Sequence, residues 1–180
     1  ARKQKNMPLT LKQTKATGYS MVAVSPSILS GALGVIWRNI PVAMLNMENY
    51  TYDDLQCAST REDEKVFGNF GSYKGQVTIV DPSHEIAAGF DGAVSFTGDT
   101  GGVDLKWLVP LPSADVIAKI DMPDSSVPDN YPPGATAAVV LCYEKGDTLY
   151  PYSKYDSTAN DTIDSVALAP ARRAFFGVDD

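Results

Sequence analysis

Short apolar runs separated by turn residues fill the chain between positions 74 and 143. Residues 76–80, 93–97, 103–109, 116–120 and 137–143 are each about as long as an ordinary strand. Val103, Leu105, Trp107 and Val109 alternate with Asp104, Lys106 and Leu108. A period of two predicts a half-buried strand with one apolar face. Residues 137–143 are apolar at every position and predict a strand buried on both faces. The boundaries are turn chemistry: Asp81-Pro82-Ser83, Asp91-Gly92, the glycine-rich stretch 98–102 and Pro110-Leu111-Pro112.

The flanks extend the same pattern. Gly18 opens a strand-like run over 19–24, which Pro26 ends. Two further short segments, 35–37 and 42–45, are separated by Pro41, which confines its segment to an edge, a bulge or a strand start. Residues 48–66 predict a helix. Thr51 would cap it, Asp53 and Asp54 would meet its positive dipole end, and Tyr52, Leu55 and Ala58 would supply its apolar face. Residues 121–136 read as a long loop rich in Pro and Asp. Further strands are expected at 148–152 and 163–168. The segment 170–177 predicts a short helix, with Pro170 at its start and Gly177 beyond its end, or an extended arm with two aromatic anchors.

Roughly eight to ten short strands with little helix and no βαβ rhythm predict an all-β chain. The architecture expected is an antiparallel β-sandwich of jelly-roll type. One or two short helices and an extended basic N-terminal arm complete it. An immunoglobulin-like sandwich is the alternative, but its Cys…Trp…Cys spacing is absent. The 180 residues suit one core domain. The organisation expected is an arm over 1–17, a body over 18–169 and a tail over 170–180.

Charge adds a contrast that the apolar pattern does not carry. The net charge of −7 is unevenly spread. Residues 1–20 hold Arg2, Lys3, Lys5, Lys12 and Lys15 and no acid, a balance of +5. The other 10 basic and all 22 acidic side chains leave residues 21–180 at −12. A basic arm on an acidic body points to contact with nucleic acid through those five residues, against the plainer reading of a solvated terminus. The first 15 residues are polar and basic with no apolar stretch after them, so no secretion signal is expected. No apolar run approaches the ~18 residues of a membrane helix, so no membrane partner is expected.

Candidate chemistry is sparse. The two cysteines, Cys57 and Cys142, make neither a disulfide framework nor a metal-ligand spacing, and Cys142 reads as a small core residue. His84 is the only histidine; its neighbours Ser83 and Glu85 cannot turn to face it as a local triad, so it reads as a loop residue. Asp121, Asp124 and Asp129 could hold a hard cation such as Ca²⁺, alone or across a subunit boundary, although their spacing is not that of an EF-hand. No phosphate-binding, dinucleotide or zinc motif is present. No cofactor beyond that cation is expected, and the chain does not read as an enzyme.

The basic arm, the Pro-punctuated strands, the acidic loop and the aromatic tail together resemble, in layout, the coat proteins of small icosahedral RNA viruses. The resemblance implies a self-assembling shell of identical subunits around viral RNA, with Arg2, Lys3, Lys5, Lys12 and Lys15 facing the genome. It also implies a place in the virion, and in the host cytoplasm during assembly. The arm departs from that family in being short and rich in Lys rather than Arg. A second resemblance lies in Gly75-Gln76-Val77-Thr78-Ile79-Val80-Asp81, which is similar to the strand ending in Asp of plant-virus movement proteins and implies binding of single-stranded nucleic acid. A third reading, a sugar- or ligand-binding module, rests on the aromatic set Tyr143, Tyr150, Tyr152 and Tyr155.

Overall fold

The computed structural model describes residues 15–29, 37–58, 67–95, 102–122, 134–150 and 167–179. They are mostly β, and ten of the strands join in one mixed sheet. The strands are β1 (Met21–Val24), β2 (Ala43–Asn46), β3 (Phe67–Tyr73), β4 (Gln76–Ile79), β5 (Gly92–Ser95), β6 (Val103–Leu108), β7 (Asp115–Ile120), β8 (Ala137–Tyr143), β9 (Thr148–Leu149), β10 (Ala167–Leu168), β11 (Arg173–Phe176) and β12 (Val178–Asp179). The main path runs β1-β2-β11-β8-β7-β4-β5. β6 leaves it as a branch and pairs with β3, β8 and β12. β9 and β10 form a separate antiparallel pair.

Most pairings are antiparallel. β1 with β2 and β2 with β11 are parallel. Residues 25–42 join β1 to β2, and a parallel pair needs a connection of about that length or more.

β8 is the axis of the fold. All seven of its residues are buried, which is what its unbroken apolar sequence predicts. Ala138, Leu141 and Tyr143 enter one core with Met44, Tyr52, Leu108 and Phe175. Ala137, Val139, Val140 and Cys142 enter the other with Val77, Leu105, Trp107 and Ile117. Strict alternation would not put Val139 and Val140 on one side. The register against β7 slips on both sides of Ala118, leaving Ile117 and Val139 without opposed partners. Such a bulge re-aims the strand. The carbonyl of Val139 instead accepts the Gly177 N–H at 2.8 Å, and the Gly177 carbonyl accepts the Lys106 N–H. Gly177 is thus the point where the chain passes from β8, beside β11, to β6, beside β12.

One expected helix takes another form. Within 48–58 the structure has only a 3-10 turn, Asn49–Thr51, followed by turns; the rest of the expected helix lies outside the described residues. Glu48, not Thr51, caps that turn by accepting the Tyr50 N–H. Thr51 lies inside the turn, donating its hydroxyl to the Glu48 carbonyl and accepting from Asn46 Nδ2. Gln56 then takes φ +63, which ends right-handed helical winding. Two bonds at 2.8 Å hold it there: Tyr150 N–H to Gln56 O, and Gln56 Nε2 to Tyr150 O. The tail takes the extended one of the two forms its sequence allows, with Phe175 and Phe176 packed against the cores. Residues 173–176 form an inner strand between β2 and β8, where Arg173 and Phe175 point to one core and Ala174 and Phe176 pack against the other.

Candidate functional site

Of the arm, Arg2, Lys3, Lys5 and Lys12 lie outside the described residues, and Lys15 is exposed. Ala16, next to it, is buried in the first core. The arm therefore joins the body beside β1, which ends the main path of the sheet among the described residues. Around that edge several large apolar side chains face solvent: Tyr19 at 71% exposure, Met21 at 55% and Leu29 at 80%. Along β1, Met21 and Ala23 point outward while Val24 is buried. Among the described residues β1 pairs on one side alone, with β2, and an edge strand with exposed apolar side chains is an adhesive element, one that natural proteins usually blunt.

Of the proposed cation ligands, Asp121 is exposed at the end of β7, with Lys119 Nζ at 3.9 Å. Asp124 and Asp129 lie outside the described residues. An open depression of about 260 Å³ lies beside Asp121, between residues 119–122 and 134–136.

Asp81, which ends the movement-protein-like stretch, is occupied locally. Its carboxylate accepts the Ser83 hydroxyl at 2.6 Å and the N–H groups of Ser83 and His84. Those bonds, that of the Ser83 hydroxyl foremost, hold its carboxyl below the usual range. Tyr143 is fully buried, donating to the Cys57 carbonyl and accepting the Leu111 N–H at 3.0 Å. Tyr150 donates its hydroxyl to the Val109 carbonyl at 2.9 Å. Both are structural aromatics rather than an open stacking platform. Tyr152 and Tyr155 lie outside the described residues.

His84 has a neighbourhood that its sequence context did not reveal. It caps the 3-10 turn Glu85–Ala87, with Nδ1 accepting the Ile86 N–H at 3.2 Å. Ligand atoms of His84, Cys142 and Glu144 all lie within 4.8 Å of one another. Cys142 Sγ is 3.6 Å from Glu144 Oε1. Arg172 closes the group from outside, with Nε 2.8 Å from Glu144 Oε1 and Nη1 on Glu85. The ion pair holds Glu85 below the usual carboxylate range. Burial, then the charge of Glu144, pushes the Cys142 thiol up to about 12. A thiol so shifted stays protonated at neutral pH and is a poor nucleophile. In sequence only the Cys142–Glu144 spacing signals the cluster, since side chains two apart along a strand share a side. His84 arrives through the antiparallel register of β4 on β7 and β7 on β8.

A second unpredicted feature is Arg173, a 1%-exposed cation in β11. Its guanidinium donates to the carbonyls of Val42 at 2.6 Å and Ile40 at 2.7 Å, while Nε has no hydrogen-bond partner among the described residues. Burial lowers its pKa. The fork fastens the stretch before β2 to the centre of the sheet.

No family model, no curated protein and no solved structure matches the chain. Among the described residues no helix is long and apolar enough to cross a membrane.

Proposed function

We propose that the chain is a structural coat-type protein that associates with copies of itself into a shell around RNA, with its basic arm toward the nucleic acid. The observation that carries this reading is the edge at β1. Among the described residues β1 is an end strand of the sheet, and Tyr19, Met21 and Leu29 on and next to it are exposed, where an arm at +5 meets a body at −12. Subunit contacts favour such apolar edges, and the opposite charges of arm and body separate an RNA-facing side from the rest. On this reading the two cores on either side of β8 belong to a jelly-roll-type sandwich. Burial on both sides gives the stiffness a shell subunit needs. A divalent cation at Asp121, Asp124 and Asp129 would belong to a subunit boundary.

The RNA half of the proposal is tested by filter binding of single-stranded RNA across a salt series, with the full chain and with a chain lacking residues 1–14. Five phosphate contacts give a slope of log affinity on log salt of roughly −3.5. Removing the four charges at Arg2, Lys3, Lys5 and Lys12 should flatten that slope to roughly −0.7. Equal slopes for the two chains would refute the role of the arm.

A further inference from the structure

Three donors of different chemistry meet where the 3-10 turn after β4 faces the end of β8. We propose that His84, Cys142 and Glu144 form a binding site for a divalent cation of the zinc class. The ligands are a His84 ring nitrogen, Cys142 Sγ and a Glu144 carboxylate oxygen. The site is independent of the shell reading.

The geometry is close to what such an ion needs. Metal–sulfur bonds of about 2.3 Å and metal–nitrogen or metal–oxygen bonds of about 2.0–2.1 Å in a tetrahedron put donors roughly 3.3–3.6 Å apart. Cys142 Sγ and Glu144 Oε1 are already 3.6 Å apart. All three ligand atoms lie within 4.8 Å of one another, so His84 closes in by about an ångström at most. The backbone favours the pair on β8. Cys142 lies in the central strand, and the Glu144 N–H is fixed by the Asp147 carboxylate at 2.6 Å.

The donor set selects the ion. Thiolate and imidazole are poor ligands for Mg²⁺ and Ca²⁺, and a carboxylate is a poor one for Cu(I). Zinc accepts all three. Cys142 is buried while His84 and Glu144 are partly exposed, so the ion would sit at the rim. Three protein ligands leave a fourth position for water or for a donor from another molecule.

Loading rearranges three bonds, among them that of the Cys142 thiol to Glu144. A neutral imidazole has one lone pair, and His84 gives it to the Ile86 N–H through Nδ1. Ligation releases that amide. Arg172 withdraws from Glu144 and keeps Glu85, its other partner. The Cys142 thiol loses its proton to solvent as the metal–sulfur bond forms; no electron is transferred.

The test is a titration of the full chain with Co²⁺, whose spectrum reports its ligands, followed by displacement with Zn²⁺. The expected result is one ion per chain, with a thiolate-to-cobalt charge-transfer band and visible bands of tetrahedral intensity that Zn²⁺ abolishes. Cys142→Ser removes the charge-transfer band and Cys57→Ser keeps it. His84→Ala, at a partly exposed position where the fold survives, weakens binding about tenfold or more. Arg172→Gln frees Glu144 and tightens binding. Absence of the band in the unaltered protein would overturn the proposal. So would its persistence in Cys142→Ser, unchanged affinity in a folded His84→Ala, or weaker binding in Arg172→Gln.

Discussion

Replacing Gly177 by Ala tests the branch point of the sheet. A Cβ at this position would lie 2.0 Å from the Lys106 carbonyl oxygen, 2.9 Å from its carbon and 3.1 Å from the Val139 oxygen. Ordinary carbon–oxygen contacts are about 3.3 Å or longer, so β6 and the chain at 177 must separate by about 1.3 Å. That shift breaks the Gly177 N–H bond to Val139 and the Lys106 N–H bond to Gly177. Both neighbours are buried, Val139 at 2% and Lys106 at 4% exposure, so water does not readily replace the lost partners. Each unpaired buried group costs about 1–3 kcal/mol. Against this, Ala restricts the unfolded chain and returns about 0.4–1 kcal/mol. The net loss is about 3 kcal/mol, a large part of the ~5–15 kcal/mol typical of a domain. For a chain of this size that lowers the melting temperature by roughly 6–12 °C. Urea titrations followed by circular dichroism, with melts in parallel, measure it. Because the unfolded-state effect alone has the opposite sign, a variant equal in stability or more stable would refute the branch at Gly177.

Three other outcomes are expected. Arg173→Lys keeps the charge but cannot reach both the Ile40 and Val42 carbonyls, and should cost about 2 kcal/mol in urea denaturation; a loss under about 0.5 kcal/mol would show that the fork does not hold residues 40–42. Cys57 and Cys142 are both buried, with thiols pushed up by burial, so a thiol-reactive dye should label neither in the native metal-free protein and both after unfolding; rapid native labelling would contradict the placement. Asp81 and Glu85 have depressed folded-state pKa values, so what they contribute is present above the unfolded carboxylate range and lost as pH falls through the folded values. Half-buried Asp53 is raised, chiefly by desolvation, and works in the opposite sense. Melting temperature should fall between pH ~7 and ~3, and less steeply in Arg172→Gln, which releases Glu85; equal slopes would show that the ion pair does not form in solution.

The β character was legible because it rests on local pattern. The apolar run of β8 appears where expected, and so does the alternation in β6, with Leu105 and Trp107 together in one core; but β6 is buried on both faces rather than half-buried, with Leu108 in the other core and Lys106 buried beside it. Three things were not legible, for reasons of range. The acids and Thr of 51–58 have the chemistry of a helix start, but the Gln56–Tyr150 pair, 94 residues apart, holds that segment in turns. The Pro170 and Gly177 pattern leaves a helix and an extended arm equally open, and nothing local decides between them. The partners of β11 on both sides come from residues 43–46 and 140–143, and their hydrogen bonds and burial outweigh local propensity. His84 and Cys142 are 58 positions apart, and only the register of β4, β7 and β8 puts them together. Charge asymmetry was visible at once, whereas the exposed apolar edge beside it became visible only when β1 was found at the end of the sheet path.

Self-association is the central claim, and sedimentation velocity of the full chain with single-stranded RNA, at low and high salt, tests it most directly. Assembly through the β1 edge predicts large particles at low salt. Replacing Met21, an outward-facing residue of that edge, by Asp should reduce them to small species while leaving the melting temperature within about 2 °C. A full chain that sediments as a monomer at every salt concentration and pH, with or without RNA, would contradict the account.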